Sequence, residues 1–174
     1  MREIARAAGL SPMAIYRHFP DKSALVDALM QDGFAAWESL ACAIPCEDPL
    51  QWLEALLEAY RDFALADPHR FDAAFFLRAS TARQYPHDME EGRSVVVGMM
   101  MDRVARAQAE GRLVQAPTVD VALTLAAVAQ GIVSMHRAGR FPSDAAFTEI
   151  YRRTVQRVLS GLKQGAAGAG SEMP

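Results

Sequence analysis

The first 22 residues constrain the fold of this chain most strongly, because they carry two short helical patterns separated by a tight turn. Ile4, Ala5 and Ala8 recur at helical spacing. Gly9 follows, and glycine is the residue that most readily ends a helix with a positive φ. We therefore predict that a first helix ends at this glycine.

A second helical pattern begins directly after the turn. Ser11 followed by Pro12 is typical of a helix start, since serine caps the free N–H groups and proline lacks an N–H to satisfy. Ile15 and Phe19 form an apolar pair four residues apart, and Pro20 disfavours helix in the residue before it. Helix, short turn with Gly, helix is the spacing of a DNA-binding helix-turn-helix.

The charge of this segment supports the same interpretation. It contains four Lys/Arg and two Asp/Glu, whereas the whole 174-residue chain has a net charge of −3. A locally basic segment in an acidic protein suits contacts with phosphate groups, which supply most of the affinity for DNA. Spacing and charge alone also allow an ordinary solvated helix pair in a helical bundle.

At these residues the sequence closely resembles the helix-turn-helix of the TetR/AcrR-type transcriptional regulators. The matching positions are Ile4, Ala5, Ala8, Gly9, Ser11, Tyr16, His18, Phe19, Lys22, Leu25 and Leu29. The resemblance implies a DNA-binding head followed by a helical body that binds a ligand and forms a dimer. In this family a further helix precedes the segment that begins here at Met1, so we expect the native chain to start upstream.

The rest of the chain predicts an all-α protein, with no confident strand and no internal repeat. Caps and apolar periodicity predict helices over residues 22–43, 49–66, 68–80, 87–110, 117–139 and 143–160. We divide the chain into a DNA-binding head with its connecting helix (1–43), a ligand-binding and dimerisation body (44–163) and a disordered tail (164–174). The connecting helix would act as a lever between head and body.

The resemblance assigns the DNA contacts to the turn and to the second helix. The residues expected to contact DNA are Ser11, Met13, Ala14, Tyr16, Arg17, His18 and Lys22. Met13 and Ala14 could touch thymine methyl groups, whereas Arg17 could pair with guanine. His18 and Lys22 would hold phosphates. The alternatives are a packing or capping role for His18 and a solvated side chain for Lys22.

Large, soft apolar residues in the body suit a pocket for a lipophilic ligand. The candidate pocket residues are Trp37, Phe63, Phe75, Met99, Met100, Gln130 and Ser134. The alternative is that these residues form an ordinary core. The segments ADPHRFDAAFFL and AQGIVSMHRAGRF also resemble one subfamily of these bodies, in which Trp and His often stand where this chain has Ala126 and Gln130.

The last two helices would pair with their copies in a second subunit, because an operator with two half-sites requires a two-fold symmetric protein. The candidate interface residues are Ala122, Ala126, Ala129, Phe147, Ile150 and Tyr151. The alternative is that this apolar surface is fully internal to one subunit.

Other classes of function are disfavoured. Cys42 and Cys46 lack the nearby ligands of a zinc site, and no nucleophile lies beside a paired base in a known motif. We expect no metal, no cofactor and no enzymatic activity. The chain has neither an apolar signal region nor an uninterrupted apolar run of membrane-spanning length, so we expect a cytoplasmic protein without a membrane partner.

These observations predict a ligand-responsive transcriptional regulator, most simply a repressor. Its partners would be a double-stranded DNA operator, a small-molecule effector and a second copy of the chain. The alternative is a dimeric small-molecule-binding or interaction protein whose head no longer binds DNA.

Overall fold

The secondary structure is helical throughout the part of the chain that can be described. The computed structural model describes residues 1–78, 84 and 87–163, and within these residues it contains helices and no strand. The helices are α1 (Arg2–Ala7), α2 (Pro12–His18), α3 (Lys22–Cys42), α4 (Pro49–Ala66), α5 (Pro68–Phe75), α6 (His87–Glu90), α7 (Val95–Ala109), α8 (Thr118–Arg137) and α9 (Asp144–Leu162). This confirms the prediction of an all-α fold. The predicted disordered tail, 164–174, lies outside the described residues.

Capping side chains account for several of the helix starts. The Asp48 carboxylate accepts hydrogen bonds from the backbone N–H groups of Leu50 and Gln51, at 3.1 and 2.9 Å. Asp67 accepts from the Arg70 N–H at 3.1 Å. Both aspartates precede a proline at the first helical position, where no N–H needs a partner. Local chemistry therefore sets these starts, which is why the sequence predicted them correctly.

Two predicted helix boundaries were wrong. The helix expected to end near Ser80 ends at Phe75, because the N–H groups of Phe76 and Leu77 both donate to the Asp72 carbonyl and close the last turn. Apolar residues continue beyond Phe75, so the sequence pattern does not show where this helix ends. Ser80 itself lies outside the described residues.

The helix expected from His87 to Glu110 is in fact two helices, α6 and α7. Gly92 adopts a positive φ of 73°, which ends the first segment. The Ser94 hydroxyl then accepts a hydrogen bond from the Val97 N–H at 3.5 Å and begins the second.

The core of the body surrounds α4, which packs against α5, α7, α8 and α9. Its largest fully buried side chains are Trp52, Leu53, Leu56, Phe71, Val104, Leu113, Val133, Phe147 and Tyr151. Tyr151 on α9 also donates a hydrogen bond of 2.6 Å to the Leu57 carbonyl on α4. Burial of this apolar surface is the main force that holds the body together.

Helix α3 connects the head to this body. It packs closely on α5, where Gly33 leaves so little space that an added Cβ would lie 2.7 Å from the Arg70 carbonyl oxygen. At 21 residues, α3 is about 30 Å long. Its first residue, Lys22, is exposed, and Trp37 lies in the core of the body.

Helix α8 is long and apolar enough to span a membrane by length and composition alone, with a mean hydropathy of 1.6. In this fold, however, it packs against α4, α7 and α9 as a core helix. Only 33% of the apolar stretch is buried within the protomer. The exposed positions of α8 include the apolar residues Ala127, Gly131 and Met135 as well as the polar residues Asp120, Thr124 and Ser134.

Candidate DNA-binding face and central cavity

The two head helices, α1 and α2, pack on each other through a small apolar contact. Ala5 is fully buried and Ile15 is 7% exposed. Gly9, with a φ of 68°, turns the chain between the helices. The Ser11 hydroxyl accepts a hydrogen bond from the Ala14 N–H at 3.2 Å, which fixes the start of α2.

The outer face of α2 carries the residues that were predicted to contact DNA. Met13 is 73% exposed and Tyr16 is 48% exposed. Arg17 and His18 are also exposed, whereas Ala14 is half-buried. One short helix thus presents a thioether, a phenol, a guanidinium and an imidazole to solvent, which are groups able to contact base edges and phosphates.

The cationic groups of this face are available for a partner. Arg17 and Lys22 form no ion pair with any residue in the described part of the chain. Lys22 stands at the start of α3, where the Asp21 carboxylate caps the Ala24 N–H at 2.8 Å. A lysine beside a helix N-terminus is well placed to hold a phosphate.

A cavity of about 200 Å³ lies in the body between α3, α4, α5, α6, α7 and α8. Its walls are mainly apolar and aromatic, with a few polar side chains. The lining residues are Met30, Phe34, Trp37, Glu38, Leu56, Leu57, Tyr60, Ala74, Phe75, Leu77, Met89, Ser94, Val95, Val96, Val97, Met100, Ala126, Ala129 and Gln130. Such a composition is typical of small-molecule sites.

The structure brings four of the seven predicted pocket residues to this cavity. Those four are Trp37, Phe75, Met100 and Gln130. Phe63 does not line the cavity, because it stacks behind Trp37 in the core with ring centroids 6.3 Å apart. Met99 packs beside the Cys42 thiol, with the two sulfurs 4.0 Å apart, and Ser134 is exposed on α8.

On α3 the sequence pointed only to Trp37 and missed Met30, Phe34 and Glu38. Met30, Phe34, Trp37 and Glu38 all line the cavity, and they recur at the i, i+4, i+7, i+8 spacing of one helical face. This spacing was visible in the sequence. The carboxylate of Glu38, however, is typical of a solvent-exposed position, so the face did not resemble a cavity wall. Tyr60 on α4 was missed because its helix is apolar on several sides.

The predicted dimer-interface residues are mostly internal. Phe147 and Tyr151 are fully buried, and Ala122 and Ala129 are 1% and 2% exposed, so these four leave no surface for a second subunit. Ala126 lines the cavity. Of the predicted set only Ile150, at 37% exposure, faces solvent.

A cluster of possible metal ligands lies at α6. One ligand atom from each of His87, Asp88 and Glu91 lies within 4.8 Å of the others. Arg93 pairs with Asp88 at 3.1 Å and with Glu91 at 2.8 Å, and His87 lies 3.0 Å from Glu91. The arginine already pairs with both carboxylates, so this cluster is best described as an ion-pair network between α6 and α7.

An exposed helix-turn-helix joined to a hollow helical body defines a class of DNA-binding regulator, and comparisons with known proteins identify the family. Residues 1–29 match "Bacterial regulatory proteins, tetR family", and residues 53–158 match "Tetracyclin repressor-like, C-terminal domain". The second match alone covers more than half of the chain. The chain belongs to the TetR family of DNA-binding transcriptional regulators.

Several solved structures share this fold. A protein of unknown function from Rhodococcus sp. RHA1 is 27% identical, with a TM-score of 0.67, 94% of this chain and 84% of that chain being covered. A TetR-family regulatory protein from Rhodococcus RHA1 is 18% identical, with a TM-score of 0.73 and coverage of 94% and 86%. A protein from Shewanella sp. PV-4 assigned to the same family is 18% identical, with a TM-score of 0.69 and coverage of 92% and 85%. No curated protein matches the sequence.

Proposed function

We propose that this chain is a homodimeric, cytoplasmic repressor that a small lipophilic effector releases from its DNA operator. The observation that carries the proposal is the position of α3. This helix begins at Lys22, shortly after α2 ends at His18, and further along it contributes Met30, Phe34, Trp37 and Glu38 to the cavity wall. One helix therefore links the DNA-binding head to the proposed effector site.

The exposed face of α2 would enter the major groove of the operator. Arg17 is the group best suited to read a guanine, while Met13 could contact a thymine methyl group. Lys22 and His18 would hold phosphates and supply affinity that does not depend on sequence. Ser11 keeps its capping role at the start of α2, and Ala14 and Tyr16 complete the contact surface.

The effector would act through the wall that α3 shares with the cavity. A ligand can shift an equilibrium only if it binds one conformation better than the other. Because α3 packs tightly on α5 at Gly33, movement of the cavity wall would be transmitted along the helix to the head. A coupling free energy of about 1–3 kcal/mol would change operator affinity about 5–150-fold.

A second copy of the chain would cover the exposed apolar residues of α8. Ala127, Gly131 and Met135 are exposed on this helix, and Ile150 is exposed on the adjacent α9. A two-fold axis through this surface would pair two heads for the two half-sites of an operator. The interface is thus proposed on residues that differ, Ile150 excepted, from those the sequence suggested.

DNA binding is tested by fluorescence anisotropy on labelled DNA from the region upstream of the gene that encodes this chain. We expect saturable binding that weakens steeply between 50 and 200 mM salt, because released counterions drive phosphate contacts. Scrambled DNA of the same length should bind much more weakly. Equal, weak affinity for both DNAs, together with an intact fold, would instead support a ligand-binding protein with an inactive head.

The proposed coupling between the cavity and operator binding is tested by a substitution that fills the cavity in the absence of a ligand. Ala126 lines the cavity on α8, so Ala126→Phe should occupy part of its volume and mimic a bound effector. We expect operator affinity to fall within the coupling range of about 5–150-fold, although the head is unchanged. Ala105→Phe, at an exposed position of α7, is the matched control. Unchanged operator affinity in a folded Ala126→Phe protein would contradict the proposed coupling.

A further inference from the structure

The charge of the cavity wall indicates which effectors the site accepts. Glu38 is the one charged residue among the described lining residues. Its carboxylate forms no ion pair or hydrogen bond with the described part of the chain. Glu38 is half-buried, and a carboxylate in a mainly apolar wall is stabilised by a partner of opposite charge when a ligand displaces its water.

Aromatic rings surround the same space. Phe34, Trp37, Tyr60 and Phe75 all line the cavity and contact one another. Trp37 and Tyr60 lie 5.3 Å apart at 80°, Tyr60 and Phe75 lie 4.9 Å apart at 71°, and Phe34 and Phe75 lie 5.5 Å apart at 82°. Because successive rings are nearly perpendicular, a bound group meets both ring faces and ring edges. Ring faces carry partial negative charge and attract cations.

From the lone carboxylate and the aromatic wall together, we infer that the effector is a lipophilic cation: a compact quaternary ammonium or protonated amine on an aromatic or aliphatic body. The cationic centre would lie beside Glu38, and the apolar body would lie among the rings and the aliphatic residues Leu56, Leu57 and Val96. Gln130, the amide on the opposite helix α8, would contact a polar substituent.

The alternatives fit the wall less well. An anionic ligand would meet Glu38 with no described cationic group on the lining to compensate. A neutral hydrocarbon would fill the apolar part but would leave the carboxylate without a partner. The cavity volume of about 200 Å³ also favours a compact ligand, since a cavity of about 150 Å³ holds one benzene molecule.

The inference names the ligand class of the proposed effector site and so rests on that proposed function, but binding is measured without DNA. Three probes of matched shape separate the effect of charge from that of size: phenyltrimethylammonium is cationic, tert-butylbenzene is neutral, and benzenesulfonate is anionic. Each carries one phenyl ring and one tetrahedral head group. Binding to the full chain is followed by calorimetry and by tryptophan fluorescence, to which the cavity-lining Trp37 contributes beside the buried Trp52.

We expect phenyltrimethylammonium to bind at least about tenfold more tightly than tert-butylbenzene, since cation–π attraction and the carboxylate add to the same apolar contact. Benzenesulfonate should show no saturable binding. In Glu38→Gln, which keeps the size of the side chain, affinity for the cation should fall about tenfold, while affinity for tert-butylbenzene should change by less than about twofold. Glu54→Gln, at an exposed position of α4, should behave like the parent protein.

A second variant tests the aromatic wall separately. Phe34→Leu keeps apolar bulk but removes one ring, so it should weaken the cation more than the neutral probe. Equal affinities for cation and neutral probe in the parent protein, or an undiminished cation preference in Glu38→Gln, would overturn the inference. Absence of binding by all three probes would also overturn it, whereas the anisotropy measurement on upstream DNA would still judge the regulator function on its own.

Discussion

Arg17 lies in the last turn of α2, and Lys22 is the first residue of α3; both side chains are exposed and without ion-pair partners among the described residues. We expect the two cations to serve different purposes. A guanidinium can read a guanine with two parallel hydrogen bonds, whereas an ammonium at a helix start acts as a point charge toward a phosphate. The exposure of the two side chains does not distinguish a base contact from a phosphate contact, whereas substitution of each residue does.

Arg17→Ala should cost about 1–3 kcal/mol of operator binding and reduce discrimination against scrambled DNA. Lys22→Ala should weaken binding to both DNAs alike and reduce the salt slope by about 1. Anisotropy titrations at several salt concentrations distinguish the two patterns. Arg140→Ala, in the exposed connection between α8 and α9, is the control with the same change of charge. Identical losses on operator and scrambled DNA for Arg17→Ala would exclude its role in reading sequence.

Asp48 provides a pH-dependent contact within the body. The Arg112 guanidinium donates to both carboxylate oxygens, at 2.6 and 3.3 Å, and this contact, aided by the Gln51 N–H, lowers the Asp48 pKa from 3.8 to about 2. The native state therefore binds this proton less tightly than the unfolded state. The stabilisation is fully present above pH 3.8 and is lost as the pH falls from 3.8 toward 2.

Asp48→Asn retains a capping side chain for α4 but removes the charge that pairs with Arg112. We expect a lower urea midpoint than in the parent protein at pH 7, and we expect this difference to narrow as the pH falls below about 4. Asp102→Asn, at an exposed position of α7, should show no such pattern. A difference that stays constant from pH 7 to pH 3 would show that the ion pair is not its source.

At the scale of elements, the crossing of α3 and α5 depends on one glycine. An added Cβ at Gly33 would lie 2.7 Å from the Arg70 carbonyl oxygen and 2.8 Å from the Ala74 Cβ. Backbone and a helix-borne Cβ cannot rotate away as the end of a flexible side chain can. Ala74 also lines the cavity, so this crossing joins the lever helix directly to the cavity wall.

Gly33→Ala should destabilise the protein by about 1–3 kcal/mol, because steric overlap outweighs the better helix propensity of alanine. Gly98→Ala in α7, where nothing lies within 4 Å of the added Cβ, should instead stabilise by up to about 1 kcal/mol. Urea unfolding followed by circular dichroism measures both. If Gly33→Ala proved as stable as Gly98→Ala, then α3 and α5 could separate freely and would be poor candidates for transmitting movement.

At the scale of the whole molecule, we expect dimerisation to pair the two heads that an operator with two half-sites requires. Two large apolar residues, Met135 on α8 and Ile150 on α9, are 51% and 37% exposed. A stable dimer buries about 800 Å² on each partner, and charges within such an interface are costly. We therefore expect a carboxylate introduced at Met135 and at Ile150 to weaken dimerisation most.

The double substitution Met135→Asp with Ile150→Asp should convert the protein from a dimer to a folded monomer in analytical ultracentrifugation. The affinity for an operator with two half-sites should fall when the dimer is lost, because each head would then bind alone. Leu40→Asp, which places the same charge at another exposed apolar position, should remain dimeric. A dimer that survives the double substitution would place the interface elsewhere.

The sequence alone determined the features that depend on neighbouring residues. Asp48, Asp67 and Ser143 start their helices through bonds to N–H groups two or three positions away, and Gly9 ends α1 through its own φ. The helix-turn-helix is likewise a local pattern, so the head and the all-α class could be recognised without a structure. Such short-range chemistry does not depend on what lies across the core.

Tertiary structure decided which apolar residues face empty space, neighbouring helices or solvent. Phe63 and Phe75 are the same type of residue, yet Phe63 packs in the core and Phe75 lines the cavity. Periodicity gives the buried face of a helix but not what lies opposite that face, and so Phe147 and Tyr151 were mistaken for interface anchors. Glu38 shows the same limit most clearly: only the packing of α3 in the body makes this polar position part of a cavity wall.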